Sequence, residues 1–208
     1  MKICAIGMGI IIILVPLSGC TALVDRSDNS NDADNSQNTP VEYSDATLKI
    51  SHGEKKFEIK IKLNHTAAPS HVDNFRKHIA GGNYTDSQFH RIIDNFMIQG
   101  GDFENNDGSG GYAADWYGIC DGVETSKINC PEQISWNVPD EANNGLRHKP
   151  CSISMAKTMQ PNSGGSQFFI VPNDSEPYHL DGVHTVFGEV IQSCDAIKEL
   201  SEVSTDGN

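Results

Sequence analysis

Arg91 stands in a stretch otherwise suited to a core. Residues 89–102 read FHRIIDNFMIQGGD, two short apolar segments around a turn signal at Asp94-Asn95, which is the pattern of a tight β-hairpin. An arginine in such a strand either faces outward from an edge or is a cation held beside apolar side chains because chemistry needs it there. A guanidinium suits the second role, since it stays charged and carries several N–H donors in one fixed plane. Met97 and Gln99 lie two apart on the second strand of the hairpin and so share a face, whereas Phe96 has the opposite parity and sits beside the turn. Other candidates look ordinary one at a time. Phe169, Leu180 and Met97 would be core residues, Gln167 a strand polar residue and His184 a structural histidine.

The elements that must position these residues follow from pattern. Segments 47–51 and 57–63 are strands around the turn His52-Gly53-Glu54, and FEIKIKL alternates apolar and charged as a half-exposed strand does. Residues 69–80 carry apolar side chains at 72, 75 and 79, a helical spacing that Gly81-Gly82 ends. A long stretch, 103–150, is rich in Gly, Asn and Asp and is expected to be irregular. Strand-like runs follow at 153–156, 167–171 and 184–190, then a short helix at 194–200. Short strands with turn signals and two helices point to a mainly-β barrel or sandwich with helical caps.

Composition narrows the function classes. A formal charge of −13 over 208 residues, with no basic block, argues against nucleic-acid binding. Lys2 followed by the apolar run 5–17 is too short to span a bilayer and reads as a secretory signal, residues 1–19. It ends in Leu17-Ser18-Gly19-Cys20, which resembles the lipobox of prokaryotic lipoproteins; the resemblance implies cleavage before Cys20 and a lipid on its sulfur. The cleaved chain would carry −14. Residues 20–42 are Asn-, Asp- and Ser-rich, a tether that cannot bury enough apolar surface to order itself. The domain then spans 43–208. Cys120, Cys130, Cys151 and Cys194 in an exported chain suggest two disulfides, with three pairings open. Zinc is the rival, but no CxxC or HExxH spacing supports it and His179-x4-His184 is weak alone. Asn64, Asn83 and Asn173 fit the N-glycosylation pattern.

Three segments taken together carry a specific resemblance. FHRIIDNFMIQGGD, SMAKTMQPNSGGSQFFI (154–170) and LDGVHTVFGEV (180–190) resemble the cyclophilins in that order and at roughly that family's spacing, over about residues 45–200. The resemblance implies a closed antiparallel β-barrel with two capping helices and peptidyl-prolyl cis-trans isomerase activity. By position it implies a groove of Arg91, Phe96, Met97, Gln99, Ala156, Gln167, Phe169, Leu180 and His184. Arg91 would be catalytic; Phe96, Met97, Phe169 and Leu180 would hold the proline ring, with His184 at the border. Gln99 and Gln167 would orient Arg91 or bond the substrate backbone. No metal, nucleophile or cofactor is needed. The implied partners are proline-containing unfolded polypeptides and, through the lipid, a membrane; a monomer is expected. The alternative function is a proline-peptide binding module or holdase with little turnover.

Departures from the family pattern carry expectations too. His179 stands where the family commonly has a tryptophan associated with cyclosporin binding, so weak cyclosporin binding is expected. Lys157 replaces a common Asn and could change preference around proline. Residues 112–135 look inserted. The family barrel sets the strand matching 153–156 beside that matching 184–190, which implies the pairing Cys151–Cys194 and, with it, Cys120–Cys130. Finally, residues 202–208 read like the start of the loop that precedes the family's last strand, which closes the barrel between 47–51 and 89–93; either that strand is lacking or the sequence is a fragment of a longer product. The expectation is seven barrel strands and a gap there, unless residues 39–46 or another chain fill it.

Overall fold

The computed structural model describes residues 10–13 and 40–204. Expectations for Cys20 and most of the signal and tether therefore lie outside the described residues. The strands are β1 (Ile10–Ile13), β2 (Tyr43–His52), β3 (Lys55–Asn64), β4 (Arg91–Ile93), β5 (Met97–Gly100), β6 (Ile119–Cys120), β7 (Val123–Glu124), β8 (Trp136–Asn137), β9 (Ser152–Met155), β10 (Phe168–Ile170) and β11 (Val186–Gln192). The helices are α1 (Pro69–Ala80) and α2 (Cys194–Ser201).

Alternation builds the hairpin β2–β3. Ala46, Leu48 and Ile50 from one strand and Ile59, Ile61 and Leu63 from the other all face one buried side, while Lys60, Glu58 and Lys56 face out. The sheet continues in the order β2-β3-β11-β9-β10-β5-β4, every neighbour antiparallel, and curls round a core that includes Phe75, Phe168 and Phe187. Phe75 comes from α1, and its ring centroid lies 5.3 Å from those of Tyr84, Phe168 and Phe187. Truncating so enclosed a ring to alanine costs about 3–5 kcal/mol. α1 has proline in its first turn and no side-chain N-cap of its own. The Glu141 carboxylate supplies the acceptors instead, taking the N–H groups of Ser70 and His71 at 3.1 Å each.

Two features depart from the sequence reading. Stretch 103–150 is not wholly irregular, because β7-β6-β8 form a second, three-stranded sheet. Its strands are two residues long, so no alternation announces them. They are pinned by the Cys120–Cys130 disulfide and by a small core of Ala113, Cys130, Trp136 and Val138. Trp136 donates its indole N–H to the Cys130 carbonyl at 3.0 Å. The second feature is at the sheet edge. β2 and β4 are not paired with each other, as expected, but the strand beside β2 is neither residues 39–46 nor another chain. β1 runs antiparallel there, from Ile10 opposite Ile50 to Ile13 opposite Thr47. Among the described residues no pairing joins β1 to β4.

The second disulfide joins Cys151, just before β9, to Cys194 at the start of α2. Both pairings are those the family resemblance implies. α2 packs against β3, β4 and β5, so this bridge ties a helix to the sheet that carries Arg91.

Candidate active site

The hairpin β4–β5 places the cation. Its register sets Arg91 opposite Gln99 and Ile93 opposite Met97, so the side chains of each pair share a face. The turn takes three residues rather than two, with Asn95 in the left-handed region at φ 57° and Phe96 N–H bonded to the Ile93 carbonyl at 3.2 Å. That extra residue takes Phe96 out of strand alternation and explains its parity. Arg91 is exposed, yet its guanidinium is not loose. Nη1 donates to Gln99 Oε1 at 3.4 Å and lies 3.8 Å from Met97 Sδ, and Cζ sits 5.7 Å from the centre of the Phe96 ring.

Beside that cation lies an apolar cluster. Met97, Ala156, Phe169 and Val171 are buried in one cluster, with Ile93, Phe96 and Leu180 packed against it. Two histidines fix the Phe169 ring: His148 stacks on it at 5.7 Å and 10°, and His184 meets it edge-on at 5.7 Å. His148 is fully buried, with Nδ1 2.9 Å from Asp181 Oδ1 and Nε2 2.9 Å from Ser154 Oγ. A carboxylate can only accept, so Nδ1 carries the proton and Nε2 accepts from the serine hydroxyl. Burial lowers the His148 pKa, against the opposing pull of Asp181. His184 is lowered by burial as well, while its Nδ1–H donates to the Met155 carbonyl at 3.0 Å. Burial thus favours the neutral form of both rings, which suits side chains packed against an apolar cluster. His179, on the rim, stacks on Phe96 at 5.7 Å and 25°.

A polar edge borders the cluster. Gln99 Nε2 donates to Gln167 Oε1 at 2.9 Å, and Gln167 Nε2 donates to the carbonyls of Gly108 and Gly110 at 3.0 and 2.7 Å. Lys157, by contrast, is laid down. Its side chain is 5% exposed and its ammonium is 3.4 Å from Asp140 Oδ2, so its charge is directed at that carboxylate. The three sequons are also engaged. Asn83 and Asn173 donate from Nδ2 to His78 and Asp195, the nitrogen a glycan would take, and Asn64 accepts from Ala67 N–H.

All nine groove residues named from the sequence thus lie in or beside one apolar cluster and its polar edge. Comparisons with known proteins add to this geometry. A family model described as cyclophilin type peptidyl-prolyl cis-trans isomerase/CLD matches residues 47–208. The chain belongs to the cyclophilin family. Peptidyl-prolyl cis-trans isomerase 9 of Schizosaccharomyces pombe is 39% identical over 150 residues, covering 72% of this chain and 21% of its own. A peptidyl-prolyl cis-trans isomerase of Acinetobacter baylyi is 33% identical over 150 residues, 71% of this chain and 68% of that protein. The chain therefore spans about a fifth of the first relative's length. The crystal structure of a Cryptosporidium parvum cyclophilin type isomerase superposes with a TM-score of 0.58 at 28% identity, covering 72% of this chain and 80% of that one. It was also solved in the presence of the dipeptide Ala-Pro, with a TM-score of 0.57.

Several residues of this cyclophilin site are not marked by the sequence reading. Val171 and Ile93 complete the apolar cluster, but apolar residues at strand ends carry no distinguishing signal. His148 and Asp181 are partners across 33 residues, and only the fold brings them together. Asp102, at the end of the opening motif, is fully buried, as a charged residue in a glycine-rich loop would not be expected to be.

Proposed function

We propose that this chain catalyses cis-trans isomerisation of X-Pro peptide bonds. One observation carries the reading: an exposed guanidinium anchored by Gln99 and in contact with Met97 and Phe96, which belong to an apolar cluster against which a proline ring could pack. The X-Pro amide is planar because nitrogen shares its lone pair with the carbonyl, and the barrier to rotation is about 18–20 kcal/mol. Twisting localises the pair on nitrogen and creates an acceptor absent in the planar states. An N–H donor of Arg91 aimed at that nitrogen stabilises the twisted amide more than either planar form, which is the condition for catalysis. Met97, Phe96, Phe169 and Leu180 hold the ring, and the polar edge at Gln99 and Gln167 meets the substrate backbone. No proton is transferred and no bond breaks.

The reading extends to place and partners. With residues 1–19 as a secretory signal, Cys20 as a lipid attachment point and residues 20–42 as a tether, the domain would act on newly exported, proline-containing chains at a membrane surface. Uncatalysed isomerisation takes roughly tens to hundreds of seconds and limits folding. A chymotrypsin-coupled assay on a proline tetrapeptide tests the activity, with catalysed turnover expected and a flat uncatalysed rate contradicting it. Metabolic labelling with a radioactive fatty acid tests the anchor: label should be incorporated and should vanish in Cys20→Ser.

A further inference from the structure

We infer that Asp102 is a positioning residue for Arg91, acting through a hydrogen-bond chain in which every link has a fixed direction. Resting on the isomerase reading above, this adds a residue that touches neither substrate nor guanidinium. The chain begins at a buried carboxylate on which five backbone N–H groups converge. Asp102 Oδ1 accepts from Glu104 and Asn105 at 3.2 and 3.0 Å, and Oδ2 from Asp107, Gly108 and Gly110 at 3.3, 2.9 and 3.1 Å. Such a ring of N–H donors is a nest for an anion, here filled by the chain's own side chain. Burial disfavours the charged form, yet the N–H groups of Asn105, Gly110, Gly108 and Glu104 together hold the Asp102 pKa below the usual carboxylate value.

The loop so folded has no slack. Gly108 adopts φ +91°, and a Cβ there would press on the His90 ring at 3.1 Å. A Cβ on Gly110 would fall 2.6 Å from Asp102 Oδ1. The two glycine carbonyls are thereby fixed, and both point at Gln167 Nε2. Because carbonyls can only accept, they force the Gln167 amide to turn its NH2 towards them and its oxygen towards Gln99. That oxygen in turn requires the NH2 of Gln99, which leaves Gln99 Oε1 as the atom facing Arg91. A guanidinium has only donors, so this orientation is the one it can use. If either glutamine flipped, an NH2 would confront an NH2 or the cation. Two loop carbonyls thus decide the polarity of the whole relay, and Asp102 holds them. Positioning errors of about 1 Å are costly at a reacting centre.

The test is Asp102→Asn in the full chain, alone and combined with Arg91→Ala. Its Nδ2 donor would face N–H groups that now meet an acceptor. NMR exchange spectroscopy on a proline tetrapeptide reads affinity and on-enzyme isomerisation rate separately. The expected result is a rate lowered at least tenfold with affinity within twofold of wild type, and less than a further twofold loss when Asp102→Asn is added to Arg91→Ala. A peptide-free readout accompanies it: the Arg91 Nε–H order parameter should drop in Asp102→Asn. That readout stands whether or not the wild-type protein turns over, so failure of the isomerase reading and failure of the relay are distinguishable. An unchanged rate, a loss that multiplies with that of Arg91→Ala, a matching loss of affinity, or an unaltered order parameter would overturn the inference. Should Asp102→Asn not fold, Gly110→Ala, which must displace the carboxylate, decides by the same readouts.

Discussion

His179 shows how one side chain sets what the groove can hold. It stacks on Phe96 at the rim with an imidazole where the family commonly offers an indole, so it presents less apolar area to a large ligand. Wild-type affinity for cyclosporin should therefore be weak, and His179→Trp should tighten it at least tenfold by fluorescence titration; equal affinities would show that the rim position does not control the drug. At this scale much of the site is readable in the residues. Met97 and Gln99 share a face because of strand parity, and the structure sets them around Arg91 as that parity requires. Phe96 was anomalous by the same rule, and the anomaly dissolves once Asn95 takes a left-handed conformation. What could not be read are contacts that depend on distant segments, such as Asp181 under His148 and the carbonyls of Gly108 and Gly110 on Gln167.

Among the elements, α1 was predictable to its end residues, since proline starts it, a 3.6-residue apolar stripe runs through it and Gly81 stops it. The short strands β6, β7 and β8 were not, because two residues cannot show a period. α1 also carries a pH liability. His78 is fully buried on it, accepts from Asn83 Nδ2 through Nδ1, and burial lowers its pKa to about 4. In the unfolded chain its pKa is near 6.5, so the unfolded state takes up a proton first as pH falls. Stability should be unaffected by this group above pH 6.5 and should decline between 6.5 and about 4, by up to about 3 kcal/mol. Melting curves across that range check it, and His78→Gln should show a shallower slope; parallel slopes would remove His78 as the cause. The disulfides give a second expectation. The Cys151–Cys194 loop spans 43 residues against 10 for Cys120–Cys130, for which chain-entropy arithmetic gives about 4 and roughly 3 kcal/mol. Cys151→Ser/Cys194→Ser should lower the melting point more than Cys120→Ser/Cys130→Ser, the reverse order contradicting the assignment of the longer loop as the stronger tie.

For the whole molecule, the sheet's two ends matter most. β4 carries Arg91 at one end of the sheet order, and at the other β1 covers four residues of β2. That β2 and β4 do not pair is what the cyclophilin resemblance implies, but the strand beside β2 is not, because a run read as a secretory signal gives no hint of pairing. Because β1 lies within residues 1–19, cleavage before Cys20 as proposed would bare the β2 edge at 47–50, and the cleaved chain should associate through it, as open edges do. Light scattering should detect oligomers, whereas a strictly monomeric species with an unchanged melting point would show that the edge needs no cover. Appending to the chain without residues 1–19 a strand able to pair between β2 and β4 should raise both melting point and turnover, because it would brace the segment holding Arg91. The central claim, however, is that the folded chain lowers the barrier of an X-Pro bond through that guanidinium. It is tested most directly by kcat/KM for a proline tetrapeptide with wild type and Arg91→Ala, their melting points being matched. The account predicts measurable turnover that falls at least tenfold in the variant, a loss of about 1.4 kcal/mol or more of transition-state stabilisation. Equal turnover by a folded Arg91→Ala protein would contradict it.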